Sequence, residues 1–193
     1  PRAMKLGFFG TPRIAAYCLE KLLGQFEIAF AVAGEDREQG RHLKVEFSPV
    51  KLLALERGIP LYQPAKLKDE GFATELARHG ADLFVIVAYG KIIPASVFNM
   101  PRYRTINLHP SLLPKYRGAA PVEWALINGE HETGISVQKI NERLDAGDVL
   151  AQETIPLDRR MNAGDLYDIV LPRGAALLAE TIRAIGEGRA VAR

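Results

Sequence analysis

Residues 81–90 read ADLFVIVAYG, the most apolar run in the chain. No polar residue interrupts it from Leu83 to Val87, so an extended segment here would be hydrophobic on both faces. Such a strand suits the middle of a parallel sheet covered on each side. KLGFFG at 5–10 is a second short apolar run, ended by Gly10, and PRIAAYCLEKLLG at 12–24 follows with helical spacing. The order is strand, tight turn, helix. FEIAFAVAG (26–34) gives a second strand, and SPVKLLALERG (48–58) a helix with Ser48 as N-cap, Pro49 at its first position and Gly58 as its stop. IPLYQP (59–64) is a short third strand, and FATELARHG (72–80) a helix leading into 81–90, the fourth strand. EDREQGRHLKVEF (35–47) is polar and aperiodic and is read as a loop. This alternation predicts an α/β fold, a Rossmann-like, mostly parallel sheet flanked by helices with right-handed crossovers.

Past the fourth strand the pattern changes. RTINLHP (104–110) reads as a fifth strand and APVEWALINGE (120–130) as a short helix. TGISVQKI (133–140) and GDVLAQETIPL (147–157) form an antiparallel extension, and a last helix over about 163–185 is expected to break or kink near Pro172. There is no repeat, low-complexity tract or linker, which predicts one domain over 4–188. Pro1–Ala3 before Met4 read as a tag remnant.

With 48% hydrophobic and 25% charged residues the chain is ordinary for a soluble globular protein. A net charge of +2 neither requires nor excludes a nucleic-acid partner. The single cysteine, Cys18, cannot form an internal disulfide and sits in an apolar helical pattern, so a buried thiol in a reducing, cytoplasmic setting is expected. Monomer is the default expectation.

The first turn, FFGTPRIA, invites a dinucleotide reading, but only Gly10 of the G-x-G-x-x-G pattern is present and no phosphate-loop lysine follows. The polar residues at the fifth strand's end are more informative. Asn107 and His109 stand at i, i+2 and so share a face. Asp145 lies in the turn signal of ERLDAGDVL. A carboxylate near His109 would orient the imidazole and favour its charged form, and an amide beside it can donate to a developing oxyanion. Ser111 lacks the G-x-S-x-G elbow of a serine nucleophile. The four histidines (42, 79, 109, 131) show no metal-ligand spacing. The stretch INLHPSLLPKYRGAAP (106–121), with three prolines after the Asn–His pair, reads as a stiff loop holding that pair in place.

That stretch, with VIVAYGKIIP (85–94) before it and ETGISVQKINERLDAGDVL (132–150) after it, resembles the signature of the folate-dependent formyltransferases. FFGTP, SPVKLLALERGIPLYQP and RGAAP add to the likeness in the same order, from Met4 to about Leu157. The resemblance implies the formyltransferase fold, with Asn107, His109 and Asp145 as catalytic residues and no metal. It implies 10-formyltetrahydrofolate as co-substrate, held by Val87, Ala88, Tyr89, Gly90 and Leu144. Ser111, Leu112, Leu113 and Pro114 would bound the transfer cleft. The likeness is strongest to the branch that formylates initiator methionyl-tRNA for translation initiation, which makes that tRNA the expected partner, with Arg41, Lys44, Lys115 and Arg117 as candidate phosphate contacts. The clusters Arg102/Arg104 and Lys115/Arg117 are both basic. That branch carries a further C-terminal β-barrel domain that helps bind tRNA, and the expectation is that this chain is the catalytic domain without it. Two alternatives stand beside this reading: an N-formyltransferase acting on a nucleotide-linked amino sugar, and a folate-binding domain without turnover.

Overall fold

The computed structural model describes residues 3–39 and 44–192. The chain forms two compact units, Pro1–Thr105 and Ile106–Arg193. The first contains β1 (Lys5–Gly10), α1 (Arg13–Leu23), β2 (Glu27–Val32), β3 (Arg37–Gln39), β4 (Lys44–Glu46), α2 (Pro49–Arg57), β5 (Leu61–Tyr62), α3 (Glu70–Arg78), β6 (Leu83–Val87) and α4 (Ala95–Phe98). Strands β5, β2, β1 and β6 lie side by side in that order, all parallel. Every residue of β6 is buried, as its unbroken apolar run requires. Phe9, Phe30 and Phe84 meet in edge-on and tilted pairs with ring centres 5.3–6.1 Å apart. The lone glycine of the first turn has a packing cause. A Cβ on Gly10 would lie 2.6 Å from the Val87 carbonyl and against Ala15, so only glycine lets α1 start this close to the strand ends.

Helix α2 is bounded as its sequence predicts. The Ser48 hydroxyl accepts from the Lys51 amide at 3.2 Å, Pro49 opens the helix, and Gly58 closes it at φ +65°. The stretch 35–47, expected as a loop, instead holds the antiparallel pair β3–β4. Its residues alternate charge with few β-branched side chains, so periodicity does not reveal it. The four-residue helix α4 is likewise too short to leave a periodic signal.

The second unit comprises β7 (Thr105–His109, from Ile106 onward), α5 (Pro121–Ile127), β8 (Glu132–Lys139), β9 (Val149–Pro156) and α6 (Ala163–Gly186). β7, β8 and β9 form an antiparallel sheet, as expected for the extension. Its register decides the site. Asn107 lies opposite Gln138, His109 opposite Ser136, and Ser136 opposite Gln152. Directly opposed residues share a face, so one face carries Asn107, His109, Ser136, Gln138 and Gln152, and the other carries Ile106, Leu108, Ile135 and Val137. The apolar face is covered by α6, where Gly174 leaves room for Leu108 and Ile135. α6 begins with a reciprocal cap between Asn162 and Asp165. Of the break or kink expected near Pro172, the break does not occur: the helix continues through that residue. Burial of Leu166, Val170, Leu171, Leu178 and Ile182 along one side outweighs the lost backbone bond.

Candidate active site

The polar face of the second unit is nearly sealed from solvent. Asn107 is 9% exposed, His109 6%, and Ser136 and Gln138 are fully buried. Burying so many polar groups is costly unless they are hydrogen-bonded, and most of them are. Ser136 Oγ donates to the Ser111 carbonyl at 2.7 Å, accepts from the Leu113 amide at 3.2 Å, and receives Gln152 Nε2 at 2.8 Å. Gln152 Nε2 also reaches the Leu113 carbonyl at 3.1 Å. Two side chains of the extension thus pin residues 111–113, and Leu112 packs over Gly134, where no Cβ would fit. The stiffness of this loop comes as much from Ser136 and Gln152 as from its prolines. Ser111 is itself committed: its hydroxyl donates to the Lys115 carbonyl at 2.6 Å.

Asp145 sits in the turn between β8 and β9 with φ +45°, in the left-handed region that costs an L-residue roughly 1–2 kcal/mol, less for Asp. The turn fits because Gly147 passes against the Lys139 carbonyl, which a Cβ would overlap. The carboxylate is held from two sides: Oδ1 accepts from Gln138 Nε2 at 2.8 Å and Oδ2 from the Gly118 amide at 2.8 Å. Its Oδ2 lies 3.7 Å from His109 Nδ1, within ion-pair reach but beyond hydrogen-bond length. The imidazole's short contact is on its other side, where Nε2 meets the Tyr116 carbonyl at 2.8 Å. A carbonyl only accepts, so Nε2 carries a hydrogen and Nδ1 is the nitrogen turned toward Asp145.

The remaining sequence-predicted residues are placed as follows. Val87 ends β6 in the first unit; Ala88 (φ +47°) and Gly90 (φ +84°) follow in left-handed conformations, with Tyr89 buried between them. Leu113 is buried, Leu112 half-buried and Pro114 exposed. Leu144 is 71% exposed and, with Arg117, Asn141, Glu142, Arg143 and Ala146, lines a pocket of ≈ 570 Å³ next to Asp145 in sequence. Lys115 Nζ lies 3.3 Å from Glu130 Oε2. Lys44 belongs to β4, Arg41 lies outside the described residues, and Arg102 and Arg104 belong to the first unit. Among the described residues no group of three His, Cys, Asp or Glu side chains is placed to hold a metal ion.

The sequence reading missed Gln138, Ser136 and Gln152, although Ser136 and Gln138 at i, i+2, alternating with Ile135 and Val137 in TGISVQKI, were a usable signal. It also missed Tyr116 and Gly118, which act through backbone groups. As a chemical device, the arrangement offers an amide donor and an imidazole on one wall, with a carboxylate beside the imidazole. Ser111, the nearest hydroxyl in sequence, is tied to backbone.

Residues 4–182 match the formyl transferase family. The chain is 44% identical over 188 residues to methionyl-tRNA formyltransferase of Clostridioides difficile, covering 97% of this chain and 61% of that protein. It is 41% identical over 190 residues to the same-named protein of Caldanaerobacter subterraneus subsp. tengcongensis, with 97% and 62% covered. The chain therefore spans about three-fifths of the length of these relatives. Among solved structures it is similar to glycinamide ribonucleotide transformylase 1 from Symbiobacterium toebii, with TM-score 0.81 at 21% identity, covering 98% of this chain and 90% of that one. It is also similar to a formyltetrahydrofolate deformylase from Pseudomonas syringae pv. tomato, with TM-score 0.79 at 23% identity, covering 100% and 64%. These likenesses show the fold.

Proposed function

The chain belongs to the formyl transferase family, and on that premise we propose that it transfers a formyl group from 10-formyltetrahydrofolate to the α-amino group of initiator methionyl-tRNA. The observation that carries the chemistry is the Asn107–His109–Asp145 arrangement, a donor pair and a carboxylate with the nearby Ser111 hydroxyl committed elsewhere. The acceptor follows from relatives at 41–44% identity named for that reaction.

The folate supplies the formyl carbon as an amide on its N10; exchanging that nitrogen for an amine requires charge stabilisation at the carbonyl oxygen and movement of one proton. Asn107 Nδ2 donates to that oxygen as it gains charge. His109 presents Nδ1 to the same region and, when protonated, is a second donor there. Asp145, fixed by Gln138 and Gly118, stands beside that nitrogen to orient the ring and to pass a proton through water. An α-amino group titrates at about 7.7–8.0, so its neutral, attacking form is available near neutral pH without a strong base. The amine's proton leaves as the bond to N10 breaks, and N10 takes it up.

For the folate, Val87–Gly90 in the first unit and Ser111–Pro114 with Leu144 in the second are the residues offered. Their fit rests on Ala88 and Gly90, which are exposed with left-handed backbone just past the end of β6, and on the exposed Leu144 beside the pocket. Of the basic residues, Arg117 on that pocket is the one offered to acceptor phosphates, since Lys115 already serves Glu130.

The test is formyl transfer by the purified chain, with charged initiator methionyl-tRNA and a panel of nucleotide-linked amino sugars as acceptors. Transfer to methionyl-tRNA, even at high KM, is the expected result. Transfer only to a sugar would overturn the acceptor assignment, and folate binding with no transfer to either would overturn the enzymatic reading.

A further inference from the structure

The catalytic imidazole and carboxylate are both gripped by one short turn, and they are gripped through its backbone. Residue 116 gives its carbonyl to His109 Nε2 at 2.8 Å, and residue 118 gives its amide to Asp145 Oδ2 at 2.8 Å. The turn can do this only in an unusual conformation. Tyr116 has φ +55°, Gly118 +87° and Ala120 +55°. Glycine adopts this region freely, whereas tyrosine does so only when its surroundings hold it there.

What holds Tyr116 lies away from the reacting groups. Its hydroxyl donates to Glu130 Oε1 at 2.7 Å and accepts from Asn128 Nδ2 at 3.0 Å, both in the turn between α5 and β8. Lys115 Nζ lies 3.3 Å from Glu130 Oε2, so the carboxylate is shared by two consecutive residues of the gripping turn. The Tyr116 hydroxyl and then the Lys115 ammonium hold the Glu130 carboxyl below its ordinary range, consistent with a charged acceptor in these bonds.

We propose that Tyr116 and Glu130 are positioning residues for His109: Glu130 anchors the Tyr116 phenol, and the anchored left-handed turn places a carbonyl that keeps the ring's hydrogen on Nε2 and reserves Nδ1 for the reaction. The alternative tautomer would leave Nε2 bare against a carbonyl oxygen at 2.8 Å, a far closer meeting of two acceptors than the 3.7 Å between Nδ1 and Asp145 Oδ2. Freed from its anchor, Tyr116 relaxes toward ordinary backbone, its carbonyl turns away, and the ring loses its reason to prefer one tautomer. The kinetic consequence rests on the formyl-transfer reading; the tautomer itself does not.

The experiment separates the two. The full chain is labelled with 15N-histidine, and long-range proton–nitrogen correlations of His109, assigned with a His109→Asn sample, are recorded for wild type, Tyr116→Phe and Glu130→Gln. Wild type is expected to show one tautomer in the neutral ring, with hydrogen on Nε2. Tyr116→Phe, which deletes only a hydroxyl, should show averaged nitrogen shifts from two tautomers. Glu130→Gln, which can still accept a hydrogen bond, should lie between. In the transfer assay kcat should fall about tenfold in Tyr116→Phe, on the scale of a lost catalytic orientation, while KM for the folate stays within about twofold. An unchanged tautomer in both variants overturns the proposal, whether or not activity drops, because the bonds would then be merely structural. A tautomer change in a protein that transfers no formyl group supports it and counts only against the formyl-transfer reading.

Discussion

At the scale of single residues, His109 and Asn107 differ from their neighbours in having donor capacity left over. Ser111, Ser136 and Gln152 spend theirs on backbone and on one another, whereas His109 gains a second donor at Nδ1 whenever the ring is protonated and the Asn107 amide keeps a small exposed fraction on the buried face. His109→Ala should therefore leave the affinity for the folate co-substrate near its wild-type value and lower turnover by about 10²–10⁴-fold, the usual size of acid–base and oxyanion contributions. Calorimetric binding beside single-turnover transfer checks this. Equal losses in both would mean that His109 binds rather than catalyses. Gln138 occupies a different role. It is fully buried, its Nε2 holds Asp145, and its Oε1 has no hydrogen-bond partner among the described residues. A buried amide half satisfied in this way is tolerated where its satisfied half fixes something of use.

At the scale of elements, α6 carries an avoidable defect. Pro172 is exposed in the middle of a 24-residue helix, where it removes a backbone bond without contributing buried surface. Pro172→Ala should stabilise the fold by about 1–3 kcal/mol, proline being about 3 kcal/mol worse than alanine in a helix interior. A thermal melt reads it, and a lower Tm would show that the backbone around residue 172 is shaped to the proline. The same helix shows how far periodicity reaches. Strands β1, β2 and β6 and helices α1 and α2 could be read from apolar spacing and caps, because each buries a face or carries a stop signal. β3–β4 could not, since two three-residue strands of mostly charged and polar residues carry no apolar alternation to read. The break or kink that the sequence predicts at Pro172 rests on propensity, which is local, whereas the buried side of α6 is not. Asn107, His109 and Asp145 were legible as polar residues at strand ends and turns. Tyr116 and Gly118 were not, because what they supply is a carbonyl and an amide, which every residue at those places would carry.

At the scale of the whole molecule, shifted groups in both units shape the response to pH. Lys51 and Gln63 hold Asp36 below the usual carboxylate range, as Tyr116 and Lys115 do Glu130. A lowered folded value contributes stability that is complete above the unfolded value and is lost as pH falls through the lowered one. Burial pushes the Cys18 thiol up to about 12, and burial followed by the Glu35 charge does the same to Tyr89. A raised value works in the opposite sense: its contribution is complete below the unfolded value and is lost as pH rises through the folded one. Tm measured against pH should thus be level from roughly pH 5 to 8 and fall on both sides. A Tm that kept rising beyond pH 10 would contradict the buried, neutral states of Cys18 and Tyr89. The turn at 116–118 has one further consequence. Its carbonyl comes from residue 116 and its amide from 118, so residue 117 lies between two fixed points, while its side chain lines the pocket. Diversity at that position can accumulate without unsettling the chemistry beside it. That makes Arg117 the natural place for a lineage, or a directed-evolution library, to try new acceptors on an inherited reaction centre.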